Sequence, residues 1–314
     1  MSDTPELSVL IVNWNTREMT LECLRSLYAE TRETDFECIL VDNGSHDGSA
    51  EAIAQEFPQV RLMAESENHG FAKANNLAAE VARGEYVLLL NSDTVVLDGA
   101  IDRLMAFARA NPEAKVWGGR TVFGDGSLNI GSAWGQLTVW SAFCFGSGLS
   151  LLKVNAFDPE AMRGWDRSTE RQVDIVSGCF FLMKRAFWNE LGGFDLSFFM
   201  YGEEAELCAR ARKAGAEPRV TPEATIVHYG GASATSKWQS RYYVLAAKIA
   251  LARKHLGEGS ANWIRRFFVS GVGLRSFGYR ALAALTGKGK RQAEVWTEVW
   301  NRREGWQNGK PPAA

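Results

Sequence analysis

The stretch that decides the fold is Tyr86-Val87-Leu88-Leu89-Leu90-Asn91-Ser92-Asp93, an apolar run that passes directly into three small polar residues. The run is too short for a helix and shows no alternation, which is typical of a strand covered on both faces. Similar runs occur at Ser8-Val9-Leu10-Ile11-Val12 and Cys38-Ile39-Leu40-Val41. Helical segments are predicted between them, near residues 20–29, 49–57 and 71–83. This alternation predicts an α/β fold with a Rossmann-like, mostly parallel sheet flanked by helices.

Small polar residues follow each of these three strands. The first strand runs into Asn13-Trp14-Asn15, the second into Asp42-Asn43-Gly44-Ser45 and the third into Asn91-Ser92-Asp93. Because ligands of open parallel sheets bind beyond the carboxyl ends of the strands, we expect a binding site at this edge.

Asp93 is the first candidate ligand at that edge. Mg²⁺ and Mn²⁺ prefer oxygen ligands, and an ion with few protein ligands keeps bonds free for the phosphates of a nucleotide. An isolated Asn-Ser-Asp would more often cap a helix, but its place directly after Leu88-Leu89-Leu90 favours the ligand interpretation. Asp42 and Asn43 fit two roles equally well, a hydrogen-bonding contact to a base or ribose and a plain turn.

Two further stretches suit the same kind of ligand. Asn68-His69-Gly70-Phe71-Ala72-Lys73-Ala74-Asn75-Asn76 starts a helix, so its free backbone donors and Lys73 suit a diphosphate, although alone it is more often a capped helix start. His228 ends a predicted strand and precedes Tyr229-Gly230-Gly231-Ala232-Ser233. A lone histidine is usually structural; given Asp93, the metal or diphosphate ligand interpretation is slightly favoured.

Three carboxylates occupy the first turn of a helix predicted from Glu203 to Ala214, in Gly202-Glu203-Glu204-Ala205-Glu206. The helix dipole favours acidic residues there for stability alone, a strong explanation for Glu203 and Glu206. An inverting sugar transfer needs one carboxylate to accept the proton of the acceptor hydroxyl. The residues themselves do not choose among the three.

The remaining regions are less regular. Residues 116–165 are rich in Gly, Ser and Trp and predict loops and short strands that cover the sheet. A bent strand is predicted at 173–183 and a last strand near 224–227. Helices are predicted from Tyr242 onward, with a loose tail at Gly309-Lys310-Pro311-Pro312.

Composition excludes several classes of function. The net charge is -2, with 35 basic and 37 acidic residues, which argues against a nucleic-acid binder. Five cysteines in apolar runs, without zinc-ligand spacing, predict reduced core thiols in a cytosolic protein. The first residues do not resemble a secretory signal, and no apolar run approaches the roughly 20 residues that span a bilayer.

One segment near the end mixes aromatic residues with arginines. Residues 261–285 include Trp263, Phe267, Phe277 and Arg265. One interpretation is an amphipathic segment that lies on anionic lipid and presents a lipid-linked acceptor. The other is a helical hairpin packed on the catalytic domain with its arginines in solvent.

Taken in order, these stretches resemble the family 2 glycosyltransferases of the GT-A fold, most closely the bacterial rhamnosyltransferase-like branch. Any single motif is weak, whereas the ordered set is strong and covers about residues 7–233. The motifs are Val12-Asn13-Trp14-Asn15, Val41-Asp42-Asn43-Gly44-Ser45, Asn68-His69-Gly70-Phe71-Ala72, Asn75-Asn76, Leu90-Asn91-Ser92-Asp93, Val176-Ser177-Gly178-Cys179, Gly193-Phe194-Asp195, Tyr201-Gly202-Glu203-Glu204 and His228.

The resemblance implies a role for each matching residue. Glu204 takes the position of the catalytic base. The metal site consists of Asp93 and His228, and Ser177, Gly178 and Glu203 lie near the donor sugar and acceptor. The nucleotide and donor are expected near Asn13, Asn15, Asp42, Asn43, Asn68, Gly70, Lys73, Asn91, Ser92 and Asp93.

Two residues depart from the family pattern. The metal motif usually has two aspartates, and here Asn91 replaces the first, so Asp93 carries more of the binding. The base is usually the Asp of a Glu-Asp pair, and here it is Glu204, which is one methylene longer.

The predicted activity is a metal-dependent inverting transfer of a sugar, rhamnose by family branch, in cell-surface polysaccharide synthesis. Mg²⁺ or Mn²⁺ is the cofactor, a nucleotide-diphosphate sugar the donor, and a saccharide or lipid-linked glycan the acceptor. We expect a GT-A domain at 1–240, with a nucleotide-binding half at about 1–115 and an acceptor-binding half at about 116–240. A helical extension follows at 241–314. The expected location is cytoplasmic, at the inner face of the plasma membrane if residues 261–285 contact it.

Two alternatives remain open. A sugar-nucleotide-binding protein with weak or no catalysis is suggested by Asn91 and Glu204. A nucleotidyltransferase would release pyrophosphate, but the chain lacks a Gly-rich, basic phosphate loop after the first strand.

Overall fold

The structure, a computed structural model, describes residues 4–230 and 236–309 of the 314-residue chain. The predictions for Gly231-Ala232-Ser233 and for Lys310-Pro311-Pro312 lie outside the described residues. The described parts of Met1–Trp134 and Trp165–Ser233 form one compact unit, and those of Gly135–Gly164 and Ala234–Ala314 form a second.

The strands and helices alternate through the first unit much as the sequence predicts. The strands are β1 (Leu7–Asn13), β2 (Phe36–Asp42), β3 (Arg61–Ala64), β4 (Tyr86–Asn91), β5 (Thr94–Val96), β6 (Val116–Val122), β7 (Leu128–Asn129), β8 (Ala133–Trp134), β9 (Arg171–Gln172), β10 (Ile175–Val176), β11 (Phe180–Lys184) and β12 (Arg219–His228). The helices are α1 (Arg17–Glu30), α2 (Ser49–Glu56), α3 (Gly70–Glu80), α4 (Ala100–Ala110), α5 (Val139–Ser147), α6 (Arg185–Leu191), α7 (Glu203–Lys213), α8 (Lys237–Thr286), α9 (Lys290–Asn301) and α10 (Arg303–Trp306).

The main sheet has the order β3-β2-β1-β4-β11-β6-β12-β5. Strands β3, β2, β1 and β4 are parallel, as the buried runs predict. Strand β11 lies antiparallel between β4 and β6, and β12 is parallel to β6 and antiparallel to β5. The predicted α/β fold is therefore confirmed, with a mixed sheet whose parallel strands are concentrated in its first half. Its core includes Val9, Leu88 and Leu182, which are fully buried.

Strand β6 lies in the region predicted to hold only loops and short strands. Its sequence contains Gly118 and Gly119, which lower strand propensity and conceal the strand. A Cβ at position 119 would overlap the Ala224 carbonyl oxygen and the Phe180 ring, so close packing requires glycine. The strand prediction failed here because tertiary packing, rather than propensity, selects this residue.

The predicted strand at 173–183 is two strands. A turn at residues 177–179 separates β10 from β11, and the Phe180 amide donates to the Ser177 carbonyl across it. The last strand is also longer than predicted, since β12 begins at Arg219 and tolerates Pro222 at an irregularity between Thr221 and Thr225.

The second unit is helical, as predicted for the end of the chain. Its core contains Tyr242, Ile264, Phe268 and Trp306, and α8 breaks at Gly257, where φ is 79° and ψ is 160°. Residues 135–164, which the sequence placed in the acceptor-binding half, belong to this unit. In the described part of the chain, no helix is both long and apolar enough to cross a membrane.

Candidate active site

The ends of β1 and β2 form a closed hydrogen-bond network around Asn13. Asn13 lies directly opposite Asp42 in the parallel register, and both side chains are buried. Asn13 Nδ2 donates to Asp42 Oδ1 at 2.6 Å. The Oδ1 atom of Asn13 accepts from the hydroxyls of Thr16 at 2.7 Å and Thr20 at 2.8 Å. Asn13 thus fixes the start of α1 against β2.

The loops after β1 and β2 are held together by Ser45. Its hydroxyl accepts from the Asn15 amide at 2.9 Å, and its own amide donates to Asp42 Oδ2 at 3.2 Å. Asn15 has a left-handed backbone, with φ of 54°, and its Oδ1 accepts from the His46 amide at 2.8 Å. A surface cleft of about 410 Å³ beside this loop is lined by residues that include Ser45 and His46, but not by Asp93 or Glu204.

Asn43 connects the end of β2 to the start of α3. Its Oδ1 accepts from the His69 amide and its Nδ2 donates to Asn68 Oδ1, both at 2.9 Å. Asn68 Oδ1 also accepts from the Gly70 amide at 2.8 Å. A Cβ at Gly70 would lie 2.6 Å from the Phe199 carbonyl oxygen, and its φ is 78°, so only glycine fits here.

Lys73 is exposed one turn into α3. Its Nζ lies 3.2 Å from His69 Nδ1, and the rest of the side chain is accessible to solvent. The predicted helix start is therefore confirmed, and it presents one cation beside the Asn43 network.

Sheet pairing brings Asp93 and His228 together. His228 on β12 is opposite Thr94 on β5, and the Tyr229 amide donates to the Asp93 carbonyl at 3.1 Å. His228 Nε2 lies 3.3 Å from Asp93 Oδ1 and 3.4 Å from Asn91 Nδ2. Burial alone would lower the pKa of His228, but the Cys179 side chain and the Asp93 carboxylate outweigh burial and raise this pKa to about 11.

The donor atoms around His228 fit a divalent cation with few protein ligands. Asn91 Oδ1 and His228 Nδ1 are buried without a hydrogen-bond partner among the described residues. The Asp93 carboxylate supplies the hard oxygen that Mg²⁺ or Mn²⁺ requires. Within residues 4–230 and 236–309, no three His, Cys, Asp or Glu side chains form a cluster that could hold a metal ion by itself.

Helix α7 begins with the carboxylates of Glu203 and Glu204. The preceding Tyr201 and Gly202 have φ values of 65° and 88° and turn the chain sharply into the helix. Both glutamates have an Oε2 atom that is buried and lacks a hydrogen-bond partner in the described structure. Burial raises the pKa of Glu204, and burial together with the neighbouring Glu204 raises the pKa of Glu203 well above its usual value.

Glu206 differs from these two residues. It lies 2.6 Å from Arg210 in an ion pair one turn along the helix. Arg210 in turn donates to the Gly193 carbonyl at 2.7 Å. The structure therefore assigns Glu206 to a structural ion pair, and Glu203 and Glu204 remain the candidates for the base.

The turn at residues 177–179 contacts the start of α7 and the end of β4. A Cβ at Gly178 would lie 3.8 Å from Glu204 Cβ and 3.4 Å from the Phe71 ring. The Cys179 carbonyl accepts from the Asn91 amide at 3.1 Å, next to Asp93. This turn therefore lies against both the start of α7 and the end of β4.

Sequence reasoning missed several residues that build this site. Thr16 and Thr20 are spaced one helical turn apart directly after a strand, a detectable signal, and Thr16 also lies 3.2 Å from the Ser92 hydroxyl. Phe199 carried no signal because it acts through its backbone carbonyl, and Cys179, although part of a matched motif, was given no role because it acts through the electrostatics of His228.

Comparison with known proteins gives a consistent result. The model of the family described as Glycosyl transferase family 2 matches residues 8–191. The O-antigen biosynthesis protein RfbC of Myxococcus xanthus is 28% identical over 233 residues, which cover 73% of this chain and 18% of that protein. The N-acetylglucosaminyl-diphospho-decaprenol L-rhamnosyltransferase of Mycobacterium tuberculosis is 28% identical over 252 residues, which cover 72% of this chain and 76% of that one.

Two solved structures share the fold. The mannosyltransferase PcManGT from Pyrobaculum calidifontis, in complex with GDP-Man and Mn²⁺, aligns with a TM-score of 0.57 and 17% identity. The alignment covers 98% of this chain and 86% of that chain. S. aureus TarS 1-349 aligns with a TM-score of 0.51 and 16% identity, covering 94% of this chain and 78% of that chain. These similarities confirm the predicted GT-A fold.

Proposed function

The chain belongs to glycosyl transferase family 2, and on that premise we propose that it is an inverting transferase. It moves rhamnose from a nucleotide-diphosphate donor to a hydroxyl of a saccharide or lipid-linked glycan. The observation that carries this proposal is the turn at 177–179, which lies against Glu204 and bonds to Asn91. An acidic residue and a candidate metal site thus share one turn, as a displacement at a sugar carbon requires.

On the donor side, the buried Asn13 and Asn43 position the loops and do not contact the nucleotide directly. The polar atoms of Asn13 and Asn43 are occupied by internal hydrogen bonds, so these residues hold the loops that surround the nucleotide. Lys73, exposed at the start of α3, supplies a positive charge for the diphosphate. Asn15, Asp42, Asn68, Gly70 and Ser92 complete this proposed donor surface.

Asp93 and His228 would hold Mg²⁺ or Mn²⁺, with the unpartnered Asn91 Oδ1 as an additional oxygen. Such an ion, when bound, neutralises the negative charge of the leaving diphosphate.

Glu204 is the proposed base. It accepts the proton of the acceptor hydroxyl while the hydroxyl oxygen bonds to the anomeric carbon, and the bond from that carbon to the diphosphate breaks. Burial raises the pKa of Glu204 toward neutral pH, and a carboxylate with a higher pKa is a stronger proton acceptor. Glu203, Ser177 and Gly178 line the proposed sugar side of the site.

The acceptor class rests on the relatives. One relative is named as an L-rhamnosyltransferase of N-acetylglucosaminyl-diphospho-decaprenol and another for O-antigen biosynthesis. We propose by this similarity that the chain acts in cell-surface polysaccharide synthesis.

Binding and transfer with matched aspartate variants test the proposal. The first experiment is a thermal-shift screen of nucleotide-diphosphate sugars with and without Mn²⁺. The rhamnose donor is expected to raise the melting temperature, and to raise it more when the metal is present. Asp93→Asn is expected to abolish the metal-dependent shift and to lower transfer at least a hundredfold. Asp98→Asn is the control, because Asp98 is exposed and its φ of 45° suits asparagine.

Three outcomes contradict the proposal in different ways. Equal transfer by the Asp93 and Asp98 variants would remove the metal role. Donor binding without transfer to any acceptor in a broad panel would favour a non-catalytic binding protein. Release of pyrophosphate instead of a nucleoside diphosphate would favour a nucleotidyltransferase.

A further inference from the structure

Most of the large apolar side chains that are exposed lie in the helical unit, although it is the smaller of the two. Trp140 on α5 is 49% exposed, and Trp263, Leu274 and Phe277 on α8 are 53%, 54% and 56% exposed. Scattered exposed apolar residues are ordinary, whereas a contiguous group marks an interaction surface.

Three exposed apolar residues of α8 and the half-buried Phe267 share one face. Successive residues in a helix are separated by about 100°, and on that spacing Phe267, Leu274 and Phe277 project within about 40° of Trp263. Ile264 and Phe268, on another side of the helix, are buried in the core of the helical unit. The helix therefore buries one apolar side and leaves a second one in solvent.

Ring contacts extend this face onto α5. The Phe143 ring lies edge-on to Phe267 with centroids 5.4 Å apart, and Trp140 stacks on Phe143 at 5.6 Å. Trp263 stacks on Phe267 at 5.8 Å. We call this surface the apolar face: Trp140, Phe143, Trp263, Phe267, Leu274 and Phe277.

The segments that form the apolar face are strongly basic. Residues 135–157 and 259–293 contain eight Lys or Arg and no Asp or Glu, whereas the whole chain has a net charge of -2. Lys153, Arg266, Arg280 and Lys288 are exposed, and the Arg266 guanidinium lies 5.2 Å from the Trp263 ring centroid.

The positive charge around the apolar face favours an anionic membrane over a second copy of the chain as the partner. A symmetric dimer through the apolar face would place two basic surfaces against each other, and like charges oppose that association. An anionic bilayer surface instead attracts Lys and Arg and accepts Trp and Phe at the boundary between headgroups and acyl chains.

We propose that the apolar face docks the helical unit on an anionic membrane surface, with Trp140, Trp263 and Phe277 inserted at the interface and the surrounding basic residues on lipid headgroups. This proposal does not depend on transferase activity, since it rests only on the surface of the helical unit.

Vesicle sedimentation of the full chain without any sugar nucleotide tests it. Binding is expected with vesicles of phosphatidylglycerol and phosphatidylcholine, and not with phosphatidylcholine alone. Trp263→Ser combined with Phe277→Ser is expected to weaken binding more than tenfold. Arg266→Glu combined with Arg280→Glu is expected to weaken vesicle binding by at least about fivefold per charge removed. Added salt is also expected to weaken binding, because it screens the attraction between the basic residues and the anionic headgroups.

Matched controls come from the other unit. Phe123→Ser combined with Leu128→Ser removes two exposed apolar side chains, and Arg32→Glu combined with Arg61→Glu makes the same change in net charge. Both controls are expected to bind as the unchanged chain does. Circular dichroism and melting temperature verify that each variant is folded.

Absence of binding to anionic vesicles would overturn the proposal, as would equal losses in the apolar-face variants and the controls. Self-association in the absence of lipid that Trp263→Ser abolishes, without vesicle binding, would overturn it in favour of a second copy as the partner. Retained vesicle binding with no transferase activity would support it while contradicting the proposed function.

Discussion

The two halves of the candidate site differ in how their polar atoms are satisfied. At the ends of β1 and β2, Asn13, Asp42 and Asn43 are buried, and each makes several internal hydrogen bonds. At the start of α7, Glu203 and Glu204 each keep a buried carboxylate oxygen without a partner among the described residues.

This difference separates scaffold from chemistry. Buried polar groups are normally hydrogen-bonded because leaving one unpaired costs about 1–3 kcal/mol. A fold that leaves two adjacent carboxylate oxygens unpaired is therefore less stable than it could be, and such exceptions concentrate at functional sites. We infer that the ends of β1 and β2, which we call the proposed donor half of the site, are preformed, whereas the start of α7 is completed by substrate.

The largest expected effect is on catalysis by Glu204→Gln. If Glu204 accepts the acceptor proton, removal of its charge is expected to lower kcat by about 10² to 10⁴, the usual range for a general base. The melting temperature is expected to stay the same or rise, because a buried charge disappears. Transfer assays with saturating donor and acceptor measure the effect.

The pH profile sharpens this test. Because burial raises the pKa of Glu204, transfer by the unchanged enzyme is expected to fall on acidification at a pH above the usual 4.5 of a glutamate. The residual activity of Glu204→Gln is expected to lack this acidic limb. An unchanged limb in the variant would show that another group is the base.

The second effect is on stability and belongs to the opposite half. Asn13→Ala removes the donor to Asp42 Oδ1 and one acceptor of the Thr16 and Thr20 hydroxyls, which keep their contacts with Ser92 and the Thr16 carbonyl. Losing the donor to the buried Asp42 carboxylate, together with the two threonine bonds, is expected to cost about 2–5 kcal/mol of unfolding free energy. Urea unfolding monitored by circular dichroism measures it.

Asn15→Gly is the matched control for this change, because glycine tolerates the φ of 54° at this position. Asn15 is exposed and its side chain accepts one hydrogen bond, from the His46 amide, so its loss is expected to cost less than about 1 kcal/mol. Equal losses in the two variants would contradict the description of the donor half as a preformed scaffold.

Much of the donor half could be predicted from the sequence, and the reason is local. Uninterrupted apolar runs locate β1, β2 and β4, and the residues that follow them necessarily lie at one edge of a parallel sheet. Asn13, Asp42 and Asp93 could therefore be placed near each other without a structure. What could not be predicted was that Asn13 is saturated by Thr16 and Thr20, because side-chain partners depend on the packing of α1.

The other half depends on contacts that are distant in sequence. Strand β6 was missed because Gly118 and Gly119 are selected by close packing, and the insertion of β11 between β4 and β6 has no local signature. Glu206 could be set apart from Glu203 and Glu204 only by its ion pair with Arg210, which the sequence does not reveal.

The smallest expected effect is a gain of stability, from Glu203→Gln. Glu203 has a pKa raised well above 4.5 in the fold, so its protonated form is favoured there. The stability that it contributes is fully present below about pH 4.5, where it is also protonated in the unfolded chain, and is lost as the pH rises through the raised pKa. Glutamine cannot ionise and removes this loss.

The variant is therefore expected to be about 1–3 kcal/mol more stable than the unchanged chain at pH 8, and equally stable at pH 4.5. Urea unfolding at both pH values measures the difference, with Glu190→Gln on α6 as an exposed control that should show none. A variant that is less stable at pH 8 would mean that the Glu203 carboxylate is already satisfied, and the contrast between the two halves of the site would then rest on Glu204 alone.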